Sequence, residues 1–195
     1  WRKGGSKMFV MVNKRVTVED LLRGIIVQSG NDACIVIAEG ISGTEEAFAE
    51  AMTRKAKEIG LKNSSFTNAT GWPAEDHYMS AKDIAILSAK IIDEFPEYYK
   101  LFSEKNYTYA KIKQGNRNPL LYNGIGADGL KTGYTKSSGY GLAASVLRNG
   151  RRLLLVINGL KSSRARSSEA SRLIDWGFRD TAIYHLFKKG DLIEE

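Results

Sequence analysis

Apolar residues recur along this chain with two different periods, and the change from one to the other predicts its architecture. In "TVEDLLRGIIVQ" the spacing is helical: Leu21, Leu22, Ile25 and Ile26 share one face, Thr17 is placed to cap the start, and Asp20 stands at the capping-box position. The pattern breaks at "SGN", Ser29 to Asn31, and resumes in "DACIVIAEG" as far as Gly40. Two helical segments joined by a very short turn are therefore expected. A third helix is predicted from Thr44 through "EEAFAEAMTRKAKEIG", with Gly60 as its stop. The stretch "LKNSSFTNATGWPAEDHYMS" reads as loop, and Ser80 with Asp83 opens a further helix, "AKDIAILSAKIIDEF", closed by Pro96.

Beyond Pro96 the period falls to two. "KNYTYAKI" alternates like a strand, and "SGYGLAASVLRNGRRLLLVINGL" reads as two strands joined at Asn149-Gly150, a dipeptide suited to a type I′ turn. Lys131 to Tyr134 precedes this hairpin and is expected to lie beside it as a strand. The last element, "SSRARSSEASRLIDWGFR", is predicted as an amphipathic helix with Leu173, Ile174, Trp176 and Phe178 near its inner end. Helices first, a strand cluster next and one closing helix predict an α+β fold, an antiparallel sheet flanked by helices. No internal repeat or low-complexity segment interrupts it.

Composition narrows the class. The 195 residues suit one sizeable domain, and 43% hydrophobic with 26% charged residues are globular values. No apolar run approaches the ~18 residues of a membrane helix; the longest, "LLLVIN" from Leu153, has strand length. The balance of 29 Lys and Arg against 22 Asp and Glu gives a net charge of +7, which suits an anionic partner. Nucleic acid is not the expected one, because no nucleic-acid motif occurs and the basic residues are scattered except at Arg148 to Arg152 and Lys161 to Arg166. The single cysteine, Cys34, sits among apolar neighbours and reads as a packing residue. Two histidines, His77 and His185, with one distant cysteine make no metal site, and no cofactor is called for. Trp1 is neither an initiator methionine nor part of a signal peptide, and "KKGDLIEE" ends as abruptly, so the chain is expected to come from a longer polypeptide.

The candidate chemistry lies in two short motifs. In Lys131-Thr132-Gly133 the lysine supplies positive charge, the threonine hydroxyl can bond a carboxylate, and the glycine lets an extended peptide approach the strand. In Ser29-Gly30-Asn31 a serine can relay a proton and an asparagine amide can both donate and accept toward a bound peptide bond; the alternative is a plain interhelix turn with Asn31 as N-cap.

Together these match the Ser-Asp-Asn and Lys-Thr-Gly elements of penicillin-binding proteins and serine β-lactamases. "VEDLLRGIIVQSGNDAC", "NRNPLL", "DGLKTGYT" and "SSEASRLIDWGF" resemble, in order and spacing, the low-molecular-mass D-alanyl-D-alanine carboxypeptidases of the penicillin-binding protein 5 type, over nearly the whole chain. The resemblance implies that Ser29 is the proton-relay serine and Asn31 a substrate contact, and that Lys131, Thr132 and Gly133 form the third motif. It places Arg166, ten residues before Trp176, at the arginine that holds the substrate's terminal carboxylate, with Arg164 a neighbouring alternative and Arg117 a second cleft arginine. Two positions depart from the family: Tyr134 stands where relatives carry histidine, and Thr70-Gly71 replaces a histidine-glycine.

A larger departure concerns the nucleophile. No serine here is followed by lysine three positions on: Ser88 gives "SAKI", Ser145 gives "SVLR", and Thr108 gives "TYAK" with the wrong first residue. The family places that Ser-x-x-Lys pair several tens of residues upstream of "SGN". The expectation is therefore the C-terminal portion of a catalytic domain over residues 1–186, with residues 187–195 starting a linker or second β-domain. The implied reaction removes the terminal D-alanine from peptidoglycan stem pentapeptides ending in D-Ala-D-Ala through an acyl-enzyme, with β-lactams as inhibitors. A β-lactamase, a peptidoglycan endopeptidase of the same fold and a noncatalytic peptidoglycan-binding module are the alternatives. Further implied are export to the periplasm or the outer face of the cytoplasmic membrane, a membrane anchor beyond the C-terminus, and a complementary N-terminal chain that supplies the missing nucleophile.

Overall fold

A computed structural model describes residues 4–184 of the chain. Three helices come first: α1 (Val18–Ile26), α2 (Asn31–Ser42) and α3 (Glu45–Glu58). The Thr17, Thr44 and Ser80 side chains each accept the backbone N–H three residues on, so the polar residue expected at the start of each of these three helices is its cap. Helix α2 runs two residues past the expected stop at Gly40, because Gly40 stays helical and the left-handed conformation falls on Gly43, φ 80°. Gly24, in the middle of α1, is required by packing: a Cβ there would meet the sulfur of fully buried Met8 at 2.2 Å.

The expected loop carries a two-residue ladder, β1 (Ser64–Ser65) against β2 (Tyr78–Met79), ahead of α4 (Ala81–Glu94). The ladder is fixed by buried Asp83, which accepts from the Asn63 N–H and the Ser64 hydroxyl, both at 2.7 Å. Pro96 ends α4 and also opens the short helix α5 (Pro96–Tyr99), as its preset φ allows. A 3₁₀ turn (Lys100–Ser103) follows, and the stretch read as one strand is a hairpin, β3 (Asn106–Tyr109) with β4 (Ile112–Gly115). Ala110 and Lys111, both at positive φ, make its turn without a glycine to announce it.

After a second 3₁₀ turn (Pro119–Tyr122) come three antiparallel strands in the order β5 (Ala127–Thr135), β6 (Gly139–Arg148) and β7 (Arg151–Leu160), then α6 (Ser163–Asp180). Asn149 and Gly150 take positive φ in the β6–β7 turn, as its sequence requires. Leu120, Leu142, Ala144 and Ala170 form the core between the sheet and α6, with Leu155 and Ile157 packed on it. A second core, Met8, Leu21 and Ala33, holds the N-terminal segment against α1 and α2. Trp176 departs from the expected inner face of α6 and is half exposed, since Ile174 and Gly177 are the residues turned to the sheet.

Asn118 joins these parts. It is 1% exposed, donates to the Gly129 carbonyl at 2.8 Å, and accepts the Leu120 N–H at 3.1 Å, so it fixes the start of β5 and the turn before it. Asn118→Ala leaves a buried carbonyl and a buried N–H unpaired, and is expected to lower the unfolding free energy by about 2 kcal/mol in urea titration. An unchanged midpoint would show that water replaces both bonds.

Candidate active site

Ser29 enters the site through backbone geometry. It sits between α1 and α2 at φ 56°, a left-handed conformation rare for a residue with a Cβ, and this turns its side chain away from both helix surfaces. Lys131 comes from the middle of β5, paired across to Ala143, and its Nζ donates to the Ser29 Oγ at 2.9 Å and to the Thr132 carbonyl at 3.1 Å. Residues 102 positions apart thus meet through one hydrogen bond between the helical layer and the sheet.

Burial lowers the Lys131 amine to about 8, assisted by the positive charges of Arg117 and Arg166 and opposed by Cys34. Arg166 is 8% exposed on α6, with its Nε buried and unpartnered and its guanidinium over the Tyr140 ring at 5.7 Å. Burial lowers its pKa too, with Tyr140 raising it and Arg117 lowering it. Arg117 lies on the exposed approach after β4, yet its charge reaches both. Arg164, the alternative on the same helix, is exposed. Three cations therefore converge on one place, and an anion is the ligand chemistry that relieves their repulsion.

Gly133, beside Thr132, has open space where a Cβ would stand. Tyr134, at the family's histidine position, is 57% exposed and meets Tyr140 in a tilted ring contact, 4.3 Å between centroids, so an aromatic pair flanks this edge. Asn31 is not the N-cap, which is Gly30; the Asn31 Nδ2 donates instead to the Gly4 carbonyl at 2.8 Å. Cys34 adjoins Lys131 electrostatically, but burial pushes its thiol up to about 11, which leaves it protonated and unreactive at neutral pH. His77 accepts from the Thr67 N–H at 3.0 Å and packs edge-on against Phe66, within the 66–77 loop. His185 and the expected boundary at residues 186 and 187 lie outside the described residues. No cluster of three or more His, Cys, Asp or Glu residues suited to a metal occurs among the described residues, nor does a helix long and apolar enough to cross a membrane.

Sequence reasoning missed Asp32, whose carboxylate accepts the backbone N–H groups of Met8, Phe9 and Val10. Its position directly after "SGN" was the available signal. It also missed Tyr140, because nothing local in "SGYGL" says that an arginine from another element will cover the ring.

A Ser-Gly-Asn turn bonded to a Lys-Thr-Gly strand matches two of the three signature elements of the penicillin-binding class of serine acyl-transferases. A sequence model described as D-alanyl-D-alanine carboxypeptidase matches residues 1–162, and the chain belongs to that family. Among relatives, D-alanyl-D-alanine carboxypeptidase DacA of Haemophilus influenzae is 45% identical over 192 residues, covering 97% of this chain and 49% of its own length. DacD of Escherichia coli is 43% identical over 190 residues, covering 95% of this chain and 49% of its own. Penicillin-binding protein 5 of H. influenzae superposes with a TM-score of 0.87 at 46% identity, over 89% of this chain and 51% of that one. Penicillin-binding protein D2 of Listeria monocytogenes, solved in its ampicillin-bound form, superposes at 0.82 with 28% identity, over 92% of this chain and 75% of that one. The chain spans about half the length of the curated relatives it matches.

The Lys131 environment yields a pH prediction. Its folded pKa lies below the ordinary 10.5, so the unfolded chain holds the extra proton between about 8 and that value, and this group's contribution to stability rises with pH across the window. NMR titration of the Lys131 side chain is expected to show a midpoint near 8, and Arg117→Gln to move it upward by removing a repulsive charge. A midpoint at the ordinary lysine value would mean that the amine is solvated.

Proposed function

We propose that the intact protein is a serine D-alanyl-D-alanine carboxypeptidase that trims the terminal D-alanine from peptidoglycan stem pentapeptides, and that β-lactams inhibit it as substrate mimics. The observation that carries this reading is the Lys131–Ser29 contact beside a buried arginine whose Nε lacks a partner. The peptide would lie along the outer edge of β5 over Gly133, with its terminal carboxylate on Arg166 and the Thr132 hydroxyl and Arg117 adding positive field. The Asn31 amide would contact the scissile region, and Ser29, hydrogen-bonded to Lys131, would relay a proton toward the departing amine.

The attacking serine and its lysine base come, in this reading, from a segment outside these 195 residues. That serine adds to the carbonyl of the penultimate D-alanine, the C–N bond breaks, and free D-alanine leaves with the relayed proton. Water then cleaves the resulting ester, returning the serine and releasing the shortened peptide.

In this reading such a segment would dock at an open sheet edge. The outer edge of β7 is unpaired among the described residues, and the adjoining groove of about 210 Å³ is lined by Leu153, Leu154, Leu155, Leu173, Ile174 and Trp176. An added strand on this edge would pair the exposed N–H and C=O groups and cover the leucines. Peptidoglycan as substrate places the protein outside the cytoplasmic membrane, in the periplasm or on that membrane's outer face, with an anchor beyond the C-terminus as the family expectation.

Intact protein incubated with a fluorescent penicillin is expected to carry the label and to release D-alanine from a pentapeptide, whereas the 195-residue chain by itself carries none. Labelling of the chain alone would place the nucleophile within it and overturn this division of labour. Hydrolysis of the penicillin without a stable labelled species would favour a β-lactamase.

A further inference from the structure

The turn that presents Ser29 is closed locally only by backbone bonds, the Gly30 N–H donating to the Gly24 carbonyl at 2.9 Å. Gly30 caps α2 without a side chain, and Ser29 is held at positive φ. Support arrives from more than twenty residues upstream. The Asp32 Oδ1 accepts the Met8 N–H at 2.9 Å and the Ala33 N–H at 3.0 Å, while Oδ2 accepts the Phe9 and Val10 N–H groups at 2.8 and 2.9 Å. One carboxylate thus gathers three successive amides of the N-terminal segment, an arrangement in which backbone dipoles stabilise the negative charge.

The same segment returns two contacts to the turn. The Asn31 N–H donates to the Ser6 carbonyl at 2.8 Å, and the Asn31 Nδ2 donates to the Gly4 carbonyl at 2.8 Å. Gly30 permits the approach, since a Cβ there would stand 3.0 Å from both the Asp32 Oδ1 and the Met8 nitrogen. A Cβ on Gly5 would meet the Asn31 Nδ2 at 2.7 Å.

We propose that Asp32 is a positioning residue for the acyl-transfer site: by gathering the Met8, Phe9 and Val10 amides it sets the carbonyl that orients the Asn31 amide and the turn that offers Ser29 to Lys131. The proposal rests on the carboxypeptidase reading for its kinetic consequence, and on geometry alone for its effect on Lys131. Asp83 provides the control. It is likewise a carboxylate that accepts more than one hydrogen bond and pins a loop, but it serves the β1–β2 ladder.

The test compares Asp32→Ala, Asp32→Asn and Asp83→Ala in the intact protein, reading thermal midpoint, the acylation rate with a fluorescent penicillin from pH 6 to 10, and the Lys131 titration by NMR. Asp32→Ala is expected to slow acylation at least tenfold while the protein is folded. It is also expected to move the Lys131 midpoint from about 8 toward the ordinary lysine value, because the amine, which faces Arg117, Arg166, Cys34 and Ser29, gains water when the turn shifts. Asp32→Asn keeps one accepting oxygen and should fall between Asp32→Ala and wild type; if Asp32→Ala does not accumulate, it carries the same test. Asp83→Ala is expected to lower the thermal midpoint with rate and titration unchanged. A Lys131 midpoint that stays near 8 in the Asp32 variants, or one that moves equally in Asp83→Ala, overturns the proposal. Wild-type protein that is never acylated would overturn the carboxypeptidase reading instead, and the Lys131 titration would still decide the role of Asp32.

Discussion

The hydrogen bond from Lys131 to Ser29 is the contact on which the site depends, because it is where the helical layer and the sheet meet chemically. Each partner is held by a different part of the fold. Lys131 is fixed by the β5–β6 register, which pairs it with Ala143 and places Gly133 opposite Gly141. Ser29 is fixed by a strained turn whose neighbours bond to the N-terminal segment. Neither layer could aim its group alone. The meeting also shields the amine from water, and that burial is the largest cause of its lowered pKa.

The charge around this contact is unbalanced in one direction. Arg117 and Arg166 both disfavour the protonated form of Lys131, and Arg166 is buried with a ring face, rather than a carboxylate, against its guanidinium. Several arginines elsewhere pair with acids: Arg152 with Asp128 at 2.8 Å, Arg23 with Glu104 at 3.0 Å, and Arg148 with Asp175 at 2.9 Å. Asp128 also accepts the Tyr99 hydroxyl at 2.6 Å, so the base of β5 is closed by an internal ion pair, whereas the Lys-Thr-Gly stretch above it has none among the described residues. A peptide's terminal carboxylate would complete the same pairing at the site.

The elements that follow local rules were legible in the sequence. Capped helices opened at Thr17, Thr44 and Ser80 because a side-chain oxygen satisfies the first free N–H groups, and Asn149-Gly150 made its hairpin because both residues accept positive φ. The motif residues Ser29 and Lys131 lie within one hydrogen bond of each other, at 2.9 Å. What escaped were features set by distant partners. Asp32 reads locally as a first-turn acid of α2, and only the folded N-terminal segment shows that it gathers three amides. The Ala110-Lys111 turn carries no glycine signal, and the choice of Arg166 over Arg164 rests on which face of α6 meets the sheet.

Arg166 is the proposed seat of the peptide's terminal carboxylate at this edge. The most direct test is kcat/KM of the intact protein for a peptide ending in D-Ala-D-Ala and for the same peptide as its C-terminal amide, each with wild type and Arg166→Gln. A charge-assisted pairing of about 1.5–3 kcal/mol predicts that wild type favours the carboxylate by roughly 10- to 100-fold, and that the preference collapses in the variant. An equal preference in both proteins would contradict the account and assign carboxylate recognition to another group.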